Sequence, residues 1–171
     1  MENNVDQELF SRSFLLDGPK LPRNLQFRPL RRNDWQKEFG TLLNSLSGDN
    51  YELNKQDFES RFDLMQFSSP KSYFIVIIED SVTEEIIACG TVFIEYKFLK
   101  SASKAAHIED IVVAESYRGK NLGKLLIKML CKIAETEKCY KIVLECKEHN
   151  VEFYKKCNFQ VTGIEMKQYI N

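Results

Sequence analysis

The 171-residue sequence is short of the residues that interrupt or cross-link a chain, with 7 glycines and 4 prolines. That leaves little material for flexible linkers and excludes collagen-like and low-complexity architectures. No apolar run approaches the ~18 residues of a bilayer span. Met1 to Asp6 is acidic and polar where a secretory leader is basic and then apolar. A cytoplasmic protein without an integral membrane segment is therefore expected. The cysteines, Cys89, Cys131, Cys139, Cys146 and Cys157, are odd in number and form no C-x-x-C pair. This speaks against a disulfide framework or structural zinc and for reduced thiols. Nothing accompanies His107 and His149 that would complete a metal site, so no metal is expected. With 24 basic against 25 acidic side chains, no charge excess exists to coat nucleic acid. Arg12, Arg23, Arg31 and Arg32 also lack the aromatic interleaving of an RNA-binding surface.

What is present fits one domain of roughly 100 to 200 residues. Residues 1–19 read as a docked N-terminal arm, with Leu9, Phe10, Phe14, Leu15 and Leu16 closed by the turn Asp17-Gly18-Pro19. Residues 20–171 read as the domain proper. Gln26 to Leu30 is an edge strand, since Pro29 removes a ladder donor. Asn33 or Asp34 can cap a helix carrying Trp35, Phe39, Leu42, Leu43 and Leu46, ended by Ser47-Gly48-Asp49-Asn50. A second helix carries Phe58, Phe62 and Met65. From residue 72 the period changes: Tyr73–Ile78 and Ile86–Ile94 are β-branched and aromatic runs that predict a hairpin, followed by a strand from His107 to Val113. Leu122, Leu125, Leu126, Met129, Leu130, Ile133 and Ala134 recur at helical spacing and predict a long core-facing helix. A strand at 140–146, a short helix near 150–156 and a last strand over about 159–169 complete an α/β reading.

Chemistry concentrates where the strand ending at Val113 turns into that long helix. A strand leading through a glycine-containing turn to a helix N-terminus presents unpaired N–H groups and a positive dipole end, which suit a phosphate. Gly119 and Gly123-Lys124 are one residue too close for GxxxxGK[ST], and Leu125 stands where the metal-binding hydroxyl belongs, which disfavours a kinase or NTPase. The dinucleotide pattern GxGxxG is missing as well. The run Arg118-x-x-Asn121-x-Gly123 resembles the acyl-CoA loop of the GNAT acetyltransferases, R/Q-x-x-G-x-G/A. Asn121 replaces the middle glycine, and asparagine tolerates unusual backbone angles well among the other residues.

Four segments occur in one order: His107–Val113, Tyr117–Leu126, Cys139–Cys146 and Asn150–Phe159. Together they resemble the eukaryotic glucosamine 6-phosphate N-acetyltransferases, a subfamily of the GNAT enzymes, and the resemblance spans residues 26–169. It implies a GNAT fold: a central twisted mixed sheet with helices on both faces, whose strands at 107–113 and 140–146 splay apart to admit acetyl-CoA. It implies transfer of acetyl from acetyl-CoA to the amine of glucosamine 6-phosphate, a step toward UDP-N-acetylglucosamine, by a homodimer whose C-terminal strand joins the partner. Carried over by residue, Ile111, Val112 and Val113 would bind the pantetheine arm. Arg118, Gly119, Lys120, Asn121, Leu122 and Gly123 would wrap the pyrophosphate, and Asn150 and Tyr154 would sit beside the arm and thioester. Glu109, Asp110 and Glu145 would line the sugar pocket, with Tyr96, Lys97, Phe98 and Leu99 approaching the sugar phosphate. The family's basic phosphate ligand near the C-terminus has no clear counterpart here; Lys167, Arg31 and Arg32 are candidates.

Acetyl transfer needs a neutral amine, a polarised thioester carbonyl and a proton for the leaving thiolate. An N–H near Ile111 can serve the oxyanion, Tyr154 the sulfur, and Asp110 and Glu145 the amine. Direct attack in a ternary complex is expected, since no Ser/His/Asp order supports an acyl-enzyme. Two other readings stay open: a GNAT acting on another small or protein amine, and a catalytically silent CoA-binding module.

Overall fold

Alternating β-branched and aromatic residues bury both faces of the central strands, so the middle of the sheet reads as nearly continuous apolar sequence. The computed structural model describes residues 7–37, 39–48 and 50–170, with Ser47 described by its backbone alone. Residues 1–6 of the expected arm, Asp49 of the expected helix stop, and Asn171 lie outside the described residues. The strands β1 (Leu25–Pro29), β2 (Tyr73–Asp80), β3 (Ile86–Tyr96), β4 (Lys104–Val113) and β5 (Cys139–Leu144) form one five-stranded sheet in sequence order. The first four are antiparallel; β5 runs parallel to β4 after the crossover helix α3 (Leu122–Thr136). Helices α1 (Phe39–Ser47), α2 (Lys55–Gln66) and the short α4 (Val151–Lys155) complete the regular elements.

Pleating sorts the side chains of β2 by face. Phe74 packs against Phe10 and Phe14 of the arm, at ring-centroid distances of 5.2 and 5.0 Å, on the side where Gly18 meets Met129 of α3. Tyr73 and Ile75 face the opposite way, toward α1 and α2. The described part of the arm is therefore docked, with Leu9 buried, Leu9 N–H bonded to Leu30 O at 2.8 Å and Glu8 bridged to Arg31.

Asp34 departs from its expected place as a helix cap. A single 3-10 turn, Asp34–Gln36, forms there, and α1 begins only at Phe39. The cause is Arg28, fully buried on edge strand β1, whose guanidinium takes both Asp34 oxygens at 2.7 and 2.9 Å and Glu79 at 2.8 Å. A buried charge of this kind requires such partners. The Asp34 carboxylate is thus committed to Arg28 and to the Arg31 amide at 2.7 Å.

The expected last strand over 159–169 is absent: residues 159–170 are neither strand nor helix, and Ile164 and Met166 are 95% and 92% exposed. An extended apolar segment becomes a strand only beside an edge that takes its hydrogen bonds. Among the described residues none pairs with it.

Candidate active site

A bulge in β4 opens the sheet. Thr91 pairs with Glu109 and Cys89 with Val112, so Asp110 and Ile111 together oppose Gly90. Asp110 takes the positive φ of 52° that this irregularity demands. The β4–β5 ladder ends at Ile108 opposite Leu144, which leaves Glu109–Val113 without a β5 neighbour. Ala114 donates to Ile87 O at 2.8 Å, on the β3 side. By strand alternation the Val113 peptide groups turn toward the gap, where its carbonyl accepts from Arg118 Nε at 3.3 Å. A wedge of unpaired backbone has formed inside an otherwise closed sheet.

At the mouth of the wedge lies a cavity of about 500 Å³. The turn builds one wall. Gly119 has φ 77° and Asn121 φ 64°, a left-handed conformation at the residue that stands for the middle glycine. Asn121 makes no side-chain cap, so the first amides of α3 remain open donors at the positive end of a 15-residue helix. Of the residues expected to hold the cofactor, Ile111, Val113, Arg118, Gly119, Asn121, Leu122, Gly123, Asn150 and Tyr154 line this one cavity. Val112 and Lys120 do not: Val112 is buried in the core, and Lys120 Nζ sits over the Tyr117 ring at 4.4 Å. Three lining residues lay outside the expected set. Tyr117 and Lys124 flank the loop, and Phe153 lies so near Gly123 that a Cβ there would be 3.3 Å from its Cζ. Its spacing of three from Asn150 was the available signal for Phe153. Strong positive charge from Arg118 and Lys124 and the open amides make the cavity fit for the pyrophosphate of a CoA thioester.

Tyr154 packs edge-on against Phe153 and Phe159, and its hydroxyl has no hydrogen-bond partner among the described residues. Burial pushes its pKa above the ordinary tyrosine value, with the neighbouring Cys146 and Cys157 adding to the shift, so the proton is held firmly.

A second cavity, of about 460 Å³, lies under the α1–α2 hairpin on the other face of the bulge. Phe39, Phe58, Phe62, Tyr73 and Phe93 form much of its wall, with Thr91, Glu109 and Asp110 on the sheet and Arg61 on α2. Burial raises the pKa of Glu109, and the like charges of Glu145 and Asp110 add to it; burial alone raises that of Asp110. Glu145 lies just beyond the end of β5, exposed and close enough to act on Glu109. Carboxyls held partly desolvated beside a cavity are groups able to take a proton from an amine.

Tyr96, Lys97, Phe98 and Leu99 line neither cavity. Lys97 is paired with Glu95, which also meets His107 Nε2 at 2.9 Å. Phe98 is completely exposed and Leu99 largely so. Beyond them Lys100, Ser101 and Ala102 form a left-handed turn with φ of 55°, 58° and 58°.

Comparison with known proteins agrees with this geometry. A family model described as the acetyltransferase (GNAT) family matches residues 32–159. Glucosamine 6-phosphate N-acetyltransferase 1 of Dictyostelium discoideum is 41% identical over 146 residues, 85% of this chain and 91% of that protein. Glucosamine 6-phosphate N-acetyltransferase of Candida albicans is 35% identical over 146 residues, 85% of this chain and 96% of that protein. The crystal structure of glucosamine-6-phosphate N-acetyltransferase from Arabidopsis thaliana superposes with a TM-score of 0.81 at 35% identity, covering 86% of this chain and 99% of that one.

Proposed function

Because the chain belongs to the GNAT acetyltransferase family, we propose that it transfers acetyl from acetyl-CoA to the amine of glucosamine 6-phosphate, as its relatives' names describe. The observation that carries this reading is the bulge at Asp110-Ile111, which borders both cavities. Ile111 faces the cavity fit for the thioester, and Asp110 faces the cavity with the carboxyls.

The α3 N-terminus, Arg118 and the loop amides hold the pyrophosphate, and the wedge backbone at Ile111–Val113 pairs with the pantetheine arm. Asp110 and Glu145, with Glu109 beside them, receive the proton that frees the amine lone pair. That nitrogen attacks the thioester carbonyl carbon, whose oxygen becomes an oxyanion stabilised by a wedge N–H. As the tetrahedral carbon collapses the C–S bond breaks, Tyr154 gives its proton to the departing thiolate, and the second amine proton is released to solvent, from which Tyr154 is restored. No acyl-enzyme is needed, because both substrates occupy adjoining cavities at once.

The reaction is a step toward UDP-N-acetylglucosamine and takes place in the cytoplasm. No described helix is long and apolar enough to cross a membrane. The protein works as a homodimer. Its exposed apolar tail, with Val161, Ile164, Met166 and Ile170, and the exposed Phe98 and Leu99 supply surface for a second copy.

Release of CoA thiol, measured with glucosamine 6-phosphate, glucosamine, a polyamine, an arylalkylamine and a peptide amine, tests the reading. Highest kcat/KM for glucosamine 6-phosphate is expected. A preference for the arylalkylamine, which the aromatic cavity wall favours as the second reading, would replace it. No thiol release with any amine would leave a silent CoA-binding module.

A further inference from the structure

Glucosamine 6-phosphate carries its two charged groups at different positions, and the carboxyls of the second cavity mark the amine end. A phosphate of this size of charge requires a cation that is not already spent. The basic residues to which the sequence pointed are all engaged. Arg31 lies 3.4 Å from Glu8, Arg32 lies 2.7 Å from Glu59 and 3.2 Å from Asp63, Lys97 holds Glu95, and Lys167 lies 2.5 Å from Glu165.

Arg61 differs from them. It is exposed, it lines the same cavity as Glu109 and Asp110, and among the described residues it has no hydrogen bond or ion pair. The reason is local: the carboxylate four residues earlier, Asp57, is taken by the helix cap, accepting from Asn54 Nδ2 at 2.6 Å while its own amide donates to Asn54 Oδ1 at 3.0 Å. Asp57 is thus engaged with the cap and makes no i, i+4 pair with Arg61. Phe58 and Phe62 on the same helix are buried, which anchors the stem of α2 and leaves the guanidinium at the solvent mouth.

We propose that Arg61 is the specificity residue of the acceptor site, binding the phosphate of the incoming amino sugar through its guanidinium fork. The inference rests on the amino-sugar reading above. A planar fork matches two phosphate oxygens at once, and its fixed charge holds at every working pH.

Thiol-release kinetics with glucosamine 6-phosphate and glucosamine, on the full chain and on Arg61→Gln and Arg61→Lys, test it. Arg61→Gln should lower kcat/KM for the sugar phosphate by about tenfold to a hundredfold, mainly through KM, and lower that for glucosamine much less. Inorganic phosphate should compete with the sugar phosphate in the unaltered protein and lose that effect in Arg61→Gln. Arg61→Lys should keep part of the preference. Since Arg61 makes no internal bond, the thermal midpoint of Arg61→Gln should match that of the unaltered protein and certify its fold. An unchanged ratio between the two sugars in Arg61→Gln, or competition by inorganic phosphate that persists in that variant, overturns the assignment and leaves the acetyltransferase reading standing. Failure of the unaltered protein to turn over glucosamine 6-phosphate overturns that reading and this inference with it.

Discussion

Gly90 and Ile111 face each other across the β4 bulge so closely that a Cβ on Gly90 would lie 2.4 Å from Ile111 Cδ1. The same Cβ would lie 3.0 Å from Leu130 Cδ1 and 3.3 Å from Leu126 Cδ2, so Ile111 would have to turn toward the cavity it lines while both leucines give way. Gly90→Ala should cost about 1–3 kcal/mol by overpacking. Since the displaced residue lies in the wedge, acetyl-CoA binding should weaken as well. Thermal unfolding and calorimetric titration with acetyl-CoA measure the two effects; an unchanged midpoint and affinity would mean that the bulge tolerates a methyl group.

The buried cluster around Arg28 gives the second prediction. Burial would push the Glu79 carboxyl up, and the Arg28 guanidinium, with Gln26 and Lys37, more than offsets it, so the pKa stands below the ordinary carboxylate value. A depressed folded-state value contributes stability that is present above the unfolded-state pKa and lost as pH falls through the folded one. Stability should therefore decline at acid pH, below about 4. Asp34→Asn removes one of the two carboxylates facing the guanidinium and should cost about 3–5 kcal/mol at neutral pH. Denaturant titrations across pH check both; a loss under about 1 kcal/mol for Asp34→Asn would show that Glu79 alone suffices.

Much of this architecture was readable from periodicity. The 3.6-residue spacing of Leu122 to Ala134 and the β-branched runs after residue 72 fix both the crossover helix and the central hairpin, because burial on a regular element leaves a regular pattern. The Arg118 to Gly123 turn was readable because a strand-turn-helix junction has local geometry, and Asn121 indeed adopts the left-handed conformation. Long-range partners were not. Nothing near Asp34 in sequence announces Arg28 or Glu79, and the second cavity is assembled from α1, α2 and three strands far apart in the chain. Arg61 went unnoticed for that reason: an unpaired guanidinium acquires meaning only from what stands across the cavity.

The left-handed turn at Lys100, Ser101 and Ala102 stores strain in residues that bear a Cβ. Each L-residue there costs roughly 1–2 kcal/mol, from which glycine is largely exempt. Ser101 is exposed, and Ser101→Gly should raise stability by about 0.5–1 kcal/mol, net of glycine's larger unfolded-state entropy. A lowered midpoint in thermal unfolding would show that the turn relaxes in solution.

The carboxyl group of Glu109 titrates above its ordinary value because of burial first and then the charges of Glu145 and Asp110. A base with a raised pKa becomes competent at higher pH, so the acid limb of the kcat/KM profile should lie above the usual carboxylate range. Glu145→Gln removes one like charge and should move that limb to lower pH, while any limb due to the amine of the substrate stays where it is. Turnover should fall as well if Glu145 shares in deprotonating the amine as proposed. A limb that keeps its position in Glu145→Gln would remove Glu109 from the proton path.

Tyr154 is the residue whose chemistry separates acid catalysis from packing most cleanly. Its ring is fixed edge-on by Phe153 and Phe159, so phenylalanine should occupy the same place with little loss of stability. Tyr154 lines the cavity proposed for the thioester, its hydroxyl has no partner among the described residues, and burial keeps the proton on oxygen. That hydroxyl is asked to act when negative charge grows on sulfur, late in the reaction, and to contribute little to ground-state binding. Tyr154→Phe should consequently lower kcat by about a hundredfold or more and leave KM for acetyl-CoA within about threefold. Thiol esters with more acidic leaving groups need less help from an acid, so the deficit of Tyr154→Phe should shrink with such a substrate. A deficit that is equal for both thiol esters, with chemistry shown to limit turnover, would assign Tyr154 to packing alone.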